Sequence, residues 1–225
     1  MKKVIITWAS SWLWECFVDK FLAEWYEVIG LCRRKSDKVT YFFPTDFNDE
    51  ASITSSITSL QEFTNIDCVV CCAAIWEIEW LDEIDFKKTQ EVFQVNISWQ
   101  NFLLSGIQDI LKKSNSDIVF IWATIWYKAN KFMPFYSITK WALRGMIENW
   151  REFFKWTTVR VIWIHPGWLE TQSNVWEWWR EHKIAALTGW KIPKLMNPKD
   201  IANFVFTTTQ LPKNIEISEM IINRK

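Results

Sequence analysis

Val4-Ile5-Ile6-Thr7-Trp8-Ala9-Ser10-Ser11-Trp12-Leu13-Trp14 opens the chain and decides its fold. Residues 4–7 form a short apolar run of the length of a buried strand. Residues 12–24 follow almost directly, and Leu13, Phe17, Phe21 and Leu22 fall on one face at helical spacing. A strand that runs straight into a helix places backbone N–H groups at the turn between them, where a ligand's phosphates can rest.

Outward from this turn the alternation continues. Residues 28–31 are a second buried run, ended by the charged stretch Cys32-Arg33-Arg34-Lys35. Residues 40–43 read as a weaker strand and 50–63 as a Ser- and Thr-rich helix. Residues 66–72 are the most apolar strand, 86–113 a long helical stretch, 117–122 a strand, 135–154 a helix and 158–164 a strand. Asn197-Pro198 precedes a last helix over 199–209, with proline in its first turn, and 219–222 close as a strand. Strands alternating with helices of ten or more residues predict an α/β fold: a Rossmann-type, doubly wound parallel sheet in three layers, α/β/α. Ligands bind such sheets at the carboxyl ends of the strands, near the point where strand order reverses. No internal repeat, linker or low-complexity tract divides the 225 residues, so one domain over 1–225 is expected.

Composition narrows the function classes. Lys plus Arg and Asp plus Glu are both 26, and this zero net charge lacks the basic footprint of a nucleic-acid binder. The longest apolar stretches, such as 68–75, are too short to span a bilayer. The two N-terminal lysines precede an apolar run too short for a signal peptide, and a cytoplasmic location is the expectation. The five cysteines, Cys16, Cys32, Cys68, Cys71 and Cys72, are odd in number and three share one apolar run, which argues against a disulfide framework. Cys68-x-x-Cys71 lacks a second pair, and His165 and His182 lie far off in sequence, so buried thiols rather than a metal site are expected.

One number is abnormal. The chain has 18 Trp and 5 Gly, whereas average usage would give about 16 Gly in this length. Thr7-Trp8-Ala9-Ser10-Ser11-Trp12-Leu13-Trp14 resembles the T-G-x-x-x-G-x-G turn of the short-chain dehydrogenase/reductase family, with Trp at every Gly. Those glycines let the turn close, let backbone approach a pyrophosphate and let helix pack on strand. Asn96-Ile97-Ser98-Trp99 resembles the family's N-x-x-G, Trp126 falls at another of its glycines, and Trp163-Ile164-His165-Pro166-Gly167-Trp168 resembles G-x-x-P-G-G. Trp25 occupies a helix-to-strand turn, where glycine is usual. Substitution concentrated on glycine positions points to a gene whose UGA codons mean glycine and have been read as tryptophan. The 18 Trp and 5 Gly together would make 23 glycines, close to a normal content.

Tyr136-Ser137-Ile138-Thr139-Lys140 puts a phenol and an amine four residues apart, on one face of a helix. A lysine cation nearby favours phenolate and lowers the tyrosine pKa from about 10, so that it can exchange a proton near neutral pH. The pentapeptide resembles the family's Y-x-x-x-K, which implies Tyr136 as general acid/base and Lys140 as its assistant. Asn96 matches the family's asparagine, which anchors a water linking the lysine to solvent. The family's serine would fall at Ala123, which cannot donate the hydrogen bond that polarises a carbonyl. The adjacent Thr124 is the candidate substitute, if a local bulge turns it inward.

The resemblance spans nearly the whole chain and implies further contacts. Trp8, Ser10, Ser11, Trp12, Leu13 and Trp14 would hold the diphosphate. Arg33 and Arg34 follow the second strand, where an acidic residue would bind the ribose of NAD and an arginine accommodates the 2′-phosphate of NADP. NADP(H) is therefore preferred, with NAD(H) possible. Asp46 and Phe47 resemble the pair at the adenine, and Cys72-Ala73-Ala74 takes the place of the family's N-A-G. Pro166, Gly167, Leu169 and Thr171 belong to the loop that holds the nicotinamide. Residues 172–195 would form the substrate lid, and its short length suggests a small carbonyl or alcohol substrate. A homodimer or homotetramer built through the helices at 86–113 and 135–154 is implied. The expected activity is interconversion of a small carbonyl compound and its alcohol by hydride transfer. The missing serine leaves open a second class, a catalytically weak or inactive dinucleotide-binding sensor or scaffold. Tryptophans taken literally would suggest an aromatic interaction protein without cofactor.

Overall fold

In the computed structural model, residues 1–8, 12–75, 81–82, 84–122, 133–167, 169–170 and 195–223 are described. Seven strands lie in one parallel sheet: β1 (Lys3–Thr7), β2 (Glu27–Cys32), β3 (Tyr41–Pro44), β4 (Cys68–Cys71), β5 (Asp117–Ile121), β6 (Arg160–Pro166) and β7 (Glu219–Ile222). Their order is β3-β2-β1-β4-β5-β6-β7, so strand order reverses between β1 and β4. The helices are α1 (Trp12–Ala23), α2 (Glu50–Leu60), α3 (Phe86–Phe93), α4 (Trp99–Ser114), α5 (Pro134–Phe154) and α6 (Pro198–Thr209).

Alternation along each strand builds two cores. Ile5, Ile29, Leu31, Val69, Ile118 and Phe120 face one way, onto Ile53 and Ile57 of α2, Leu103, Leu104 and Ile107 of α4, and Leu143 and Ile147 of α5. Val4, Ile6, Val28, Val70, Val119 and Ile162 face the other way, onto Phe17, Val18 and Phe21 of α1 and Ile201, Ala202 and Val205 of α6. Burial on both faces explains why the strands read as continuous apolar runs rather than alternating ones. This is the doubly wound, three-layer α/β/α architecture the sequence predicts.

Local chemistry sets the element ends. Asp49 caps α2 through the Ala51 amide, Asp85 caps α3 through Lys87 and Lys88, and Asn197 caps α6 ahead of Pro198. Asn115 ends α4 in the left-handed region, at φ 54°. At the amino ends of the strands, Arg160 grips Asp117 with two bonds of 2.7 and 2.8 Å and donates to the carbonyls of Thr209, Leu211, Pro212 and Ile215. Lys213 reaches the same carboxylate at 2.7 Å. This buried ion cluster ties the segment between α6 and β7 to the sheet edge opposite the candidate site.

One expected element differs. The helical stretch over 86–113 is broken by a π-helical turn, Gln94–Ser98, between α3 and α4. Such a turn inserts one residue into the helical ladder and is frequent at functional sites.

Candidate active site

The carboxyl ends of the strands converge on one edge. β1 delivers Trp8, β2 delivers Arg33 and Arg34, β3 delivers Thr45 and Asp46, and β4 delivers Cys72, Ala73 and Ala74. A cleft of about 590 Å³, counting space open to solvent, lies at the reversal of strand order. Trp8, Arg33, Arg34, Asp46, Phe47 and Ile75 are among its walls. Two exposed guanidiniums at its mouth suit a phosphate, whose oxygens match arginine's planar fork. The Asp46 carboxylate accepts from the Asn48 amide at 3.0 Å, and Phe47 is buried against the Trp99 ring, 4.0 Å between centroids.

Thr7, the first residue of the opening-turn motif, knits the cleft floor. Its hydroxyl donates to the Val70 carbonyl at 3.3 Å and accepts from the amides of Cys72 at 3.1 Å and Ala73 at 3.4 Å. The Cys72 thiol donates to the Thr7 carbonyl, and burial pushes its pKa up to about 12. It is therefore a structural thiol rather than a nucleophile. All five cysteines are free thiols, and Cys32, Cys68 and Cys71 are buried as a strand core requires.

The first turn does not fit a dinucleotide as it stands. A diphosphate at this position rests on bare backbone. Trp8 instead carries an indole into the cleft wall from a backbone at φ 58°. Trp14, expected at the turn, is sealed in the core beneath α1 at 1% exposure, with its Nε1 lacking a hydrogen-bond partner. Leu13 is half-buried against the same core. Ser10 and Ser11, with the side chain of Trp12, lie outside the described residues.

The second half of the site is assembled by α5 and the π-helical turn. Tyr136 and Lys140 sit one turn apart near the start of α5, where Pro134 sets the first turn. Lys140 is 2% exposed and its Nζ lies 5.0 Å from the centroid of the Tyr136 ring, over the ring face. Burial pushes the Tyr136 phenol above its ordinary value and pulls the Lys140 ammonium down to about 7. This corrects the expectation that the lysine lowers the tyrosine: the amine lies over the ring face, and desolvation sets the direction of the shift.

Asn96, in the π-helical turn, is fully buried. It accepts from the Ile75 amide at 2.8 Å and donates to the Ile75 carbonyl at 2.9 Å and to the Thr139 hydroxyl at 3.0 Å. Thr139 in turn donates to the Tyr136 carbonyl at 2.9 Å. The extra residue of the π turn thus lets one side chain bridge the loop after β4 and the first turn of α5. Thr139 thereby ties Asn96 to the first turn of α5; its only mark in the sequence is a hydroxyl one turn after Tyr136.

Beyond β6, the Gly167 amide donates to the Ile222 carbonyl at 2.9 Å, and Leu169 bridges to Met196. Pro166 and Leu169 are both buried. Thr124, its neighbour Ala123, Trp126, Thr171 and residues 172–194 of the expected lid lie outside the described residues.

Comparison with known proteins bears on the family and the fold. The family model described as short chain dehydrogenase matches residues 5–181. An uncharacterized oxidoreductase of Staphylococcus saprophyticus is 21% identical over 98% of this chain and 96% of its own length. A sepiapterin reductase of Chlorobaculum tepidum is 24% identical over 87% of this chain and 77% of its own. Among solved structures, the closed form of a serine dehydrogenase complexed with NADP+ superposes with a TM-score of 0.84 at 23% identity, covering 98% of this chain and 94% of that one. A short chain dehydrogenase family protein of Francisella tularensis gives 0.85 at 18% identity, with 99% and 97% covered.

Proposed function

The chain belongs to the short chain dehydrogenase family, oxidoreductases that act on CH–OH groups with NAD(P), and on that premise we propose that it is an NADP(H)-dependent enzyme interconverting a small carbonyl compound and its alcohol. With glycine at the first turn, a nicotinamide held in the cleft would supply or accept the hydride. Tyr136 handles the proton at the substrate oxygen, and Lys140 and Asn96 support it. The observation that carries this reading is the buried Lys140 amine beside Tyr136, with Asn96 and Thr139 fixing the same helical turn.

The protonation states suit reduction. A phenol raised by burial holds its proton at neutral pH and can donate it to the oxygen that becomes negative as the carbonyl is reduced. The phenolate left behind favours the charged form of the adjacent amine, which at about 7 is poised to take up a proton. Arg33 and Arg34 support NADP(H) over NAD(H), with Asp46 and Phe47 flanking the adenine end. Residues 1–225 act as one domain, residues 172–195 are its lid, Thr124 is the candidate carbonyl donor, and the working unit is a homodimer or homotetramer in the cytoplasm. Among the described residues no helix is long and apolar enough to cross a membrane.

Absorbance at the reduced-nicotinamide band, with NADPH and a panel of small aldehydes and ketones, tests the proposal on the chain carrying glycine at 8, 12 and 14. Turnover that disappears in Tyr136→Phe supports it; equal turnover in that variant overturns it. Ala123 favours one second reading, a dinucleotide-binding sensor or scaffold. Tight NADPH binding without turnover across the panel would select that reading.

A further inference from the structure

We infer that positions 8, 14, 25, 99, 122 and 163 are glycine in the working protein, the UGA codons at these sites being decoded as glycine rather than tryptophan. The inference rests in part on the dinucleotide reading, since positions 8 and 14 belong to the first turn, but the backbone carries it independently.

Among the described non-glycine residues, three have φ in the left-handed region: Trp8 at 58°, Trp25 at 64° and Asn115 at 54°. Asparagine is at home there; for a bulky residue it is an outlier. Trp25 is the plainest case. The Tyr26 amide donates to the Phe21 carbonyl at 3.0 Å and the Trp25 amide to the Leu22 carbonyl at 3.1 Å. That pair of bonds is the Schellman motif, and Trp25 holds its left-handed position, which glycine ordinarily fills. Its indole is 83% exposed, so no packing accounts for the residue. This site lies at the far end of α1 from the cleft and owes nothing to the cofactor.

Burial tells the same story at four other positions. The indole nitrogens of Trp14, Trp122 and Trp163 are buried without a hydrogen-bond partner, although buried indoles ordinarily find one. Trp122 and Trp163 stack on one another, 5.3 Å between centroids, with Lys140 over the Trp122 ring. Trp99 is fully buried, and its Nε1 reaches only the Val95 carbonyl of the preceding π-helical turn. Trp150 shows what a seated tryptophan looks like in this molecule: its Nε1 donates to the Asn101 side chain at 2.9 Å and its ring stacks on Phe154. Trp14, Trp122 and Trp163 have no such bond. With glycine at these six positions the first turn presents bare backbone to the cleft, and the region beneath Lys140 opens.

Peptide mass spectrometry of the protein purified from its own source is the test. Fragments covering positions 8, 14, 25, 99, 122 and 163 are expected to weigh as glycine. Indole masses at positions 8 and 25 would overturn the inference, whatever the protein binds. Glycine masses in a protein that fails to bind NADPH would uphold the inference and remove the cofactor reading, so the two are separable.

Discussion

Replacing Trp25 by glycine should stabilise the protein relative to the same replacement at Trp156, against the usual expectation that two exposed tryptophans are interchangeable. Trp25 is 83% exposed and Trp156 is 90% exposed, so the two changes remove similar, small amounts of buried ring. Both give the unfolded chain the same extra freedom. They differ in the backbone: Trp25 sits at φ 64°, whereas Trp156 is absent from the left-handed region. Holding a side chain there costs about 1–2 kcal/mol, a cost glycine does not bear. The difference between the variants should therefore be about 1–2 kcal/mol in favour of Trp25→Gly, or about 2–8 °C in Tm for a chain of this size. Thermal and urea denaturation followed by circular dichroism, in one background, measures it. Equal midpoints, or a lower one for Trp25→Gly, would refute the argument from backbone conformation.

Three further outcomes follow from the site. Lys140 has its pKa lowered from 10.5 to about 7 in the folded chain, so between those values the unfolded state binds the extra proton and stability rises with pH; it is lost as pH falls toward 7. Lys140→Met should flatten that rise, whose slope is at most about 1.4 kcal/mol per pH unit, in urea titrations across this window. Asn96→Ala leaves the Ile75 amide and carbonyl without their side-chain partner and should cost about 1–3 kcal/mol in urea denaturation, with kcat falling as the Tyr136 turn loosens. In the chain carrying glycine at 8, 12 and 14, Arg33→Ala with Arg34→Ala should weaken NADPH about tenfold to a hundredfold, the loss of a charge-assisted contact, and leave NADH unchanged in paired titrations.

The fold was legible because parallel strands buried on both faces write themselves as unbroken apolar runs. Val4 to Ile6 and Val69 to Val70 show this directly. The Tyr136 and Lys140 pair was legible because helical spacing alone puts them on one face. The π-helical turn at Gln94–Ser98 was not, because one inserted residue barely disturbs a 3.6-residue pattern over a stretch that long. The partners of Thr7, and the part played by Thr139, were not legible for a different reason: each works through bonds to residues far away in sequence, which no local pattern records. The direction of the Tyr136 shift was not legible because sequence shows a nearby cation but not the burial that sets the shift. Arg160 and Asp117 face each other in neighbouring strands only once the register is set.

The central claim is that this cleft receives a dinucleotide along bare backbone at the first turn, beside Tyr136 and Lys140. NADPH fluorescence titration of two chains tests it most directly: the sequence as written, and the same sequence carrying Trp8→Gly, Trp12→Gly and Trp14→Gly. Saturable binding by the glycine chain alone is the predicted result. No binding by a folded glycine chain, or equal binding by both, would contradict it.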